Sequence, residues 1–471
     1  MARKISRRQF VQGSAAVGLA GTVRCAGRSS PVTPTDGIQW ENWASTVVHR
    51  NLKAIYQPAT LEELKANVKE AADNGWRLRV VGAGHAWSNL GLPERNGAII
   101  RMDRLNQVIG QDGNIVEVQG GLSIQSLNEE LFNRGLALAN MGDANPQSVS
   151  GAISTETHGS GVTLGSISEF VEGMTIVRAD GEEQALEGEE LQAGRVSLGQ
   201  LGVIYSVKLA VLPNYYLDHK ETLVRFRDEQ PEIDTLLENR HLEYWYYPYT
   251  EKAVRIIRNQ VDSTEEINPM TSWETALILV SARYADLKGR VDPGGLPDMF
   301  RTAVNETTFP TLERQGPWHR ILLGKGNIWR DAVKTYTMEY QFPYANLWAA
   351  FDELEDSIAL AETKGVFVGS PIQFRFTKQS ERSLLSQFRF SPTVSFSISF
   401  FTTGQGAHTW LPDIERRLIA LDGRPHWGKV YYTAPEKDPR FETIRASLDP
   451  DGIFAFEQPV YEPDPEAFQD S

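Results

Sequence analysis

Arg77-Leu78-Arg79-Val80-Val81-Gly82-Ala83-Gly84-His85-Ala86-Trp87-Ser88 is the stretch on which the reading of this chain turns. It begins as a short β-rich run, then breaks at two glycines around one alanine, with a histidine directly after. Gly82 and Gly84 can take positive φ and bring the backbone close to a ligand with its amides turned inward. Such a loop suits a pyrophosphate or the edge of a cofactor ring. It is not a dinucleotide fingerprint of the G-x-G-x-x-G kind. Trp87 stands at the third glycine position, and Asn89-Leu90-Gly91-Leu92-Pro93 reads as loop where a helix should begin. On its residues alone the stretch is a ligand loop or a tight turn with an incidental histidine.

The flanks give it an α+β setting. Upstream, Thr60 as N-cap and Glu63 three residues on make a capping box, Leu61, Leu64, Val68 and Ala71 keep helical spacing, and Gly75 stops the helix. Downstream, Ala98–Arg101 and Asn114–Val118 are strand-like, and Ser126 to Arg134 reads as a helix ended by Gly135. No internal repeat interrupts this alternation.

With 471 residues, 41% of them hydrophobic, the chain can bury a core large enough for two or three domains. Its formal charge of −14 argues against nucleic acid and anionic membranes as partners. Cys25 is the one cysteine, so an intrachain disulfide and a cysteine-rich metal site are both excluded. No metal-ligand spacing occurs elsewhere. The N-terminus carries Ser6-Arg7-Arg8-Gln9-Phe10 before a mildly apolar Ala/Gly run that is too short to span a membrane. This resembles a twin-arginine export signal, with residues 1–37 as signal and linker. The expectation is translocation of the folded protein by the twin-arginine translocase to a periplasmic or extracellular location.

Further stretches carry chemistry. From Asn140 to Gly161, small and hydroxyl residues dominate, and almost nothing there could fill a core. Amides and Ser/Thr hydroxyls at close quarters suit phosphate oxygens, although a Ser/Gly-rich surface loop has the same composition. Val196–Val207 reads as a glycine turn into a strand. In Pro371–Thr377, alternation puts Gln373 and Arg375 on one face and Ile372, Phe374 and Phe376 on the other. By pattern the polar face is either a solvent face or a site. Thr393 to Phe401 alternates Ser395, Ser397 and Ser399 with apolar residues in the same way, a serine row expected to line the same cavity. In Gly423-Arg424-Pro425-His426-Trp427-Gly428-Lys429, the proline and the second glycine favour a turn over a helix.

Taken together, and in this order and spacing from about residue 38 to 455, these motifs resemble the sugar-lactone and alditol oxidases of the vanillyl-alcohol oxidase superfamily. The resemblance implies an α+β protein with a two-subdomain flavin-binding domain (38–214), an α+β substrate or cap domain (215–410), and a C-terminal segment (411–471) returning to the flavin. It implies FAD bound covalently through His85. Val81, Gly82, Ala83, Gly84, Ala86, Ser88, Gly142, Ser148, Gly151, Ser154, Thr155, His158, Gly159 and Ile204 would line the cofactor. It further implies hydride transfer from a carbinol carbon of a sugar lactone, alditol or related polyol. Arg375 and Lys429 would supply positive charge, and Gln373, Asp143 and His426 would orient the substrate or take its proton. Gly142, with no side chain to block dioxygen, would make the enzyme an oxidase that releases hydrogen peroxide. Three residues depart from the family pattern: Ala86 stands for a Ser, Asp143 for a Ser, and Gln373 for a Glu. Other readings are a dehydrogenase using another acceptor, and a flavin-binding module that has lost turnover. Oligomeric state is not indicated.

Overall fold

The computed structural model describes residues 37–93, 97–267, 295, 297–298, 311–323, 335–401 and 407–456. The twin-arginine segment and Cys25 lie outside them. Thr60 caps the first helix, α1 (Leu61–Asp73), and its side chain accepts from Glu63 N. The Glu63 carboxylate reaches one residue further back than a capping box requires and accepts from Ala59 N at 2.7 Å. Leu64, Val68 and Ala71 form the buried stripe of α1, and Gly75, at φ +66°, turns the chain into the next strand.

Three parallel strands follow one another across a small sheet in which β1 (Ile55–Tyr56) and β2 (Arg77–Val81) flank β3 (Gly97–Arg101). Strand β2 feeds the glycine loop, and it is held by the far end of the chain. Leu78 N donates to Ile453 O at 2.8 Å. The Arg79 guanidinium, 2% exposed, donates to the carbonyls of Leu90, Leu198, Gly199 and Phe454 at 2.8, 2.7, 3.1 and 2.9 Å. Asp449 in turn accepts from Ile453 N and Phe454 N, both at 2.8 Å, which fixes the returning strap.

An antiparallel sheet comes next, with β4 (Val108–Asp112), β5 (Ile115–Gln119), β6 (Val171–Val177), β7 (Glu183–Leu186) and β8 (Val203–Ala210) in the order β7-β6-β8-β5-β4. The helix expected from Ser126 starts two residues earlier, as α2 (Ile124–Asn133), because Ser123 is the residue whose hydroxyl accepts from Ser126 N. The Ser/Gly-rich stretch departs from its expectation. Part of it is a short helix, α3 (Val149–Ser154), and Val149, Ala152 and Ile153 on it are fully buried in the main core. Small residues there leave one face of α3 to the core and one to the cleft described below.

Strands after Pro213 build a second, nine-stranded sheet among the described residues. They are β9 (Tyr216–Arg225), β10 (His241–Tyr246), β11 (Lys252–Arg258), β12 (Gln260–Val261), β13 (Leu312–Pro317), β14 (Thr335–Pro343), β15 (Ile372–Thr377), β16 (Thr393–Phe401) and β17 (Arg424–Pro425). The order is β12-β9-β11-β10-β15-β16-β14-β17, with β13 also pairing β9. The register sorts the two faces. Phe374 lies across from Tyr244 and Phe396, while Arg375 lies across from Glu243 and Ser395. On the first face the rings pack against α4 (Leu347–Thr363), whose Leu347, Ala350, Phe351, Leu354 and Ile358 are buried at helical spacing. Phe374 and Phe396 stack at 4.2 Å, and each such buried ring contributes on the order of 2 kcal/mol. The second face is polar and also buried: His219, Arg258, Glu243, Gln373, Arg375, Ser395, Ser397, Glu339 and Gln341 are each under 10% exposed. A buried polar face of this extent must satisfy itself or serve a ligand.

Candidate functional site

A cleft with about 1370 Å³ of unfilled space, mouth included, opens where the glycine loop, α3 and the polar face of the second sheet come together. One wall is the loop. Val81, Gly82, Ala83, Gly84, His85, Ala86 and Ser88 all line it. Gly82 packs so tightly on the cap of α3 that an added Cβ would fall 2.0 Å from Ser148 Oγ, and Gly84 sits at φ +62°. These two glycines are required, one for close approach and one for its backbone angle. The His85 ring stacks on Trp43 at 4.8 Å and meets Trp87 edge-on at 5.5 Å, which fixes its plane. Asn42 Nδ2 donates to Ala86 O at 3.0 Å, Ser88 Oγ to Trp427 O at 2.8 Å, and Trp87 N to Gly428 O at 2.9 Å. The loop is therefore stitched to the His426–Lys429 turn.

Opposite lie Gly142, Asp143, Ser148, Gly151, Ser154, Thr155, His158 and Ile204. Gly159 does not line the cleft, contrary to expectation. A Cβ there would be 2.3 Å from Asn140 Oδ1 and 2.4 Å from Met141 O, so its glycine serves packing behind the wall. Gly142 does line the cleft, but a Cβ on it would meet Thr157 Cγ2 at 2.7 Å rather than open space. Gln147 Oε1 and Thr157 Oγ1, on residues of the wall, are buried without a hydrogen bond to any described residue. The Thr157 hydroxyl, the other wall hydroxyls and the backbone amides are donors that FAD phosphates would use, the Gln147 oxygen is an acceptor for a ligand N–H or O–H, and the cleft is large enough for FAD.

The polar sheet face closes the cleft. Gln373, Arg375 and Ser397 reach it, as alternation requires, whereas Ser399 Oγ is taken up by Thr337 Oγ1 at 2.9 Å. His426 and Lys429 complete this side from the predicted turn, in which Lys429 N donates to His426 O at 3.0 Å. The residue that organises these cations, Glu339, has no place in the sequence reading. It is fully buried on β14 and accepts from Arg375 Nη2 at 2.9 and 3.0 Å and from Gln341 Nε2 at 3.0 Å. His158 Nε2 lies 2.5 Å from the same carboxylate, and Lys429 Nζ 4.0 Å.

The charges follow from these partners. Burial alone would raise the Glu339 carboxyl, but Arg375 and His158 hold it well below the usual range. Burial disfavours the Arg375 cation, and Glu339, Asp143 and Glu243 more than offset that, so it stays charged. Lys429, over the Trp87 ring at 4.1 Å, is pushed down to about 8, by burial first and by Arg375, with Glu339 and Asp143 opposing. Burial and then the neighbouring cations, against Glu339, keep His426 neutral. The Trp43 and Glu339 contributions were not legible locally; only the three-dimensional pairing brings them in.

Known proteins resemble this chain in sequence and in fold. The sequence profile of the FAD binding domain family matches residues 52–187, and that of the D-arabinono-1,4-lactone oxidase family matches residues 207–458. The chain is 30% identical over 433 residues to an L-gulono-1,4-lactone dehydrogenase of Mycobacterium tuberculosis, covering 88% of this chain and 96% of that one. It is 25% identical over 436 residues to the L-gulonolactone oxidase of Bos taurus, covering 89% and 96%. Among solved structures, a solvent-stable cholesterol oxidase superposes with a TM-score of 0.73 at 15% identity, covering 89% of this chain and 96% of that one. A cholesterol oxidase from Brevibacterium sterolicum gives 0.71 at 16% identity, covering 92% and 99%. These two likenesses show the fold.

Proposed function

Because the chain belongs to the D-arabinono-1,4-lactone oxidase family of FAD-dependent oxidoreductases, we propose that it oxidises a carbinol carbon of an aldonolactone, alditol or related polyol at this cleft, with dioxygen as acceptor. The observation that carries the reading is the pair of cations, Arg375 and Lys429, on the wall that faces the glycine loop and α3. FAD, when bound, accepts a hydride from the substrate and passes the electrons on. The protein's part is electrostatic and positional. Arg375 and Lys429 stabilise negative charge developing across the cleft, in a site where buried charges act with little screening. Gln373, Ser397 and the neutral His426 ring offer hydrogen bonds to substrate hydroxyls. His85, held between Trp43 and Trp87, is the residue proposed to anchor the cofactor covalently, and the dipeptide Arg7-Arg8 to direct export.

The test is anaerobic mixing of purified protein with D-arabinono-1,4-lactone, L-gulono-1,4-lactone and a set of alditols while flavin absorbance is followed. Bleaching by at least one of them is expected; no bleaching by any would refute the reading. Oxygen is then admitted in a stopped-flow instrument. Reoxidation faster than free reduced flavin, with hydrogen peroxide released, is expected of an oxidase. The similarity to a relative named as a dehydrogenase supports a second reading, which slow reoxidation beside brisk turnover with an artificial acceptor would favour.

A further inference from the structure

Oxidising an alcohol releases a proton as well as a hydride, and the cleft wall contains a pair of side chains suited to receive it. Asp143 and Gln373 stand 230 residues apart in sequence, yet the Gln373 amide donates to Asp143 Oδ2 at 2.6 Å. That oxygen also lies 3.7 Å from Arg375 Nη1. Oδ1 makes no hydrogen bond among the described residues, and the side chain is 21% exposed, at the cleft. Gln373 Nε2 has a second, longer contact with Glu243 Oε2 at 3.4 Å, and Arg258 holds the other Glu243 oxygen at 2.8 Å. Position 373 is thus flanked by two carboxylates. A glutamine there can donate to both, whereas a glutamate would crowd a third carboxylate between them. The departure at 373 and the departure at 143 are one arrangement.

His426 is the competing acceptor, and its hydrogen bonds exclude it. Its Nδ1 accepts from Gly428 N at 3.0 Å, so the neutral ring presents Nε2–H, a donor, to its surroundings. We infer that Asp143 takes the hydroxyl proton of the substrate and that Gln373 holds its carboxylate in position, an assignment that rests on the cleft being the site of lactone or polyol oxidation. The carbinol C–H bond breaks with its electron pair leaving as hydride to FAD. The O–H pair stays on oxygen and closes the new C=O bond, and the proton bonds to Asp143 Oδ1, from which the open cleft returns it to solvent. Arg375, Lys429 and Gln373 face Asp143, and Glu243, Glu339 and His158 stand behind them, so a pH dependence arising here reports this group of charges.

Asp143→Asn and Gln373→Glu test the inference in the FAD-loaded protein. For Asp143→Asn, flavin reduction by the best substrate should slow by about 10²–10⁴-fold and lose its decline toward acid pH. Sulfite affinity should be no weaker than in the wild type, because Arg375 and Lys429 remain and one negative charge is gone. For Gln373→Glu, two carboxylates at hydrogen-bond distance must share a proton, so the acid limb should move to higher pH by about a unit or more. Asp143→Asn reducing within about threefold of wild type with the same pH profile would overturn the assignment. So would an unmoved limb in Gln373→Glu, or a loss of sulfite binding in Asp143→Asn that marks a structural role. A wild type that no lactone or alditol bleaches removes the parent reading and this one together. A wild type that bleaches while Asp143→Asn does so equally well removes this one alone.

Discussion

Replacing Lys429 by methionine keeps a stem that can lie over Trp87 and removes the charge. In the native site Nζ is 4.1 Å from the Trp87 ring centroid and 4.0 Å from Glu339 Oε2, and burial brings its pKa down to about 8. The sign follows directly: the ammonium is present below that value and is lost as pH rises through it. About nine-tenths of the molecules carry the charge at pH 7, about one-tenth at pH 9 and roughly 3% at pH 9.5. Wild-type flavin reduction and sulfite adduct formation, both of which develop negative charge at the flavin, should therefore fall about tenfold per pH unit above 8. Losing one preorganised contact of this kind costs about a hundredfold, so Lys429→Met should be about a hundredfold slower at pH 7. Its profile should show no inflection near 8, and the gap to wild type should narrow to about threefold at pH 9.5. Stopped-flow reduction and sulfite titration across pH 6.5–9.5 measure both quantities. A variant within threefold of wild type at pH 7, or a gap that stays constant with pH, would show that the Lys429 charge does not act on the flavin.

His85→Ala should abolish flavin fluorescence that survives denaturing gel electrophoresis while FAD can still be bound reversibly; a fluorescent band in the variant would place the anchor elsewhere. Gly82→Ala should lose much of its FAD and about 1–3 kcal/mol of stability, since the new Cβ lands 2.0 Å from Ser148 Oγ. Adding Ser148→Gly should restore part of both in thermal melts and flavin content, and no loss in the single variant would mean that the loop has room the geometry denies it. Arg7→Lys with Arg8→Lys should keep the protein in the cytoplasm, and unchanged export on cell fractionation would exclude the twin-arginine route.

Sequence alone carried the elements whose chemistry is local. The Thr60 cap, the Leu64/Val68/Ala71 stripe and the alternation of β15 each depend on residues a few positions apart, and the structure has them as read. The Ser/Gly-rich stretch was read half correctly, because a helix as short as α3 has too few turns to show a periodicity. Glu339 escaped for a different reason. Thr337, Glu339 and Gln341 alternate with apolar residues just as a half-exposed strand would, and only burial of both sheet faces turns that row into a site. Trp43 contributes to the wall through a stack with His85 that leaves no mark near either residue. The family resemblance implies Gly159 on the wall, but glycine serves ligand approach and tight packing alike, and here it serves packing against Asn140 and Met141.

The strap that returns to β2 has a consequence for how the protein is made. Arg79 and Phe454, which it joins, lie 375 residues apart. At about 5–20 residues per second, a ribosome spends roughly 20–75 s between them. Strand β2 and the loop it feeds are synthesised early, yet the carbonyl that pairs with Leu78 N and one of the four that hold Arg79 belong to Ile453 and Phe454. During that interval the edge of β2 that Leu78 N presents stays open to chaperones or to mispairing. A nascent chain stalled short of residue 452 has every residue of the cleft from Trp40 to Lys429 and lacks the bonds of Leu78 to Ile453 and of Arg79 to Phe454. The contacts that β2 makes with residues 453 and 454 therefore form only after every residue of the cleft has been synthesised.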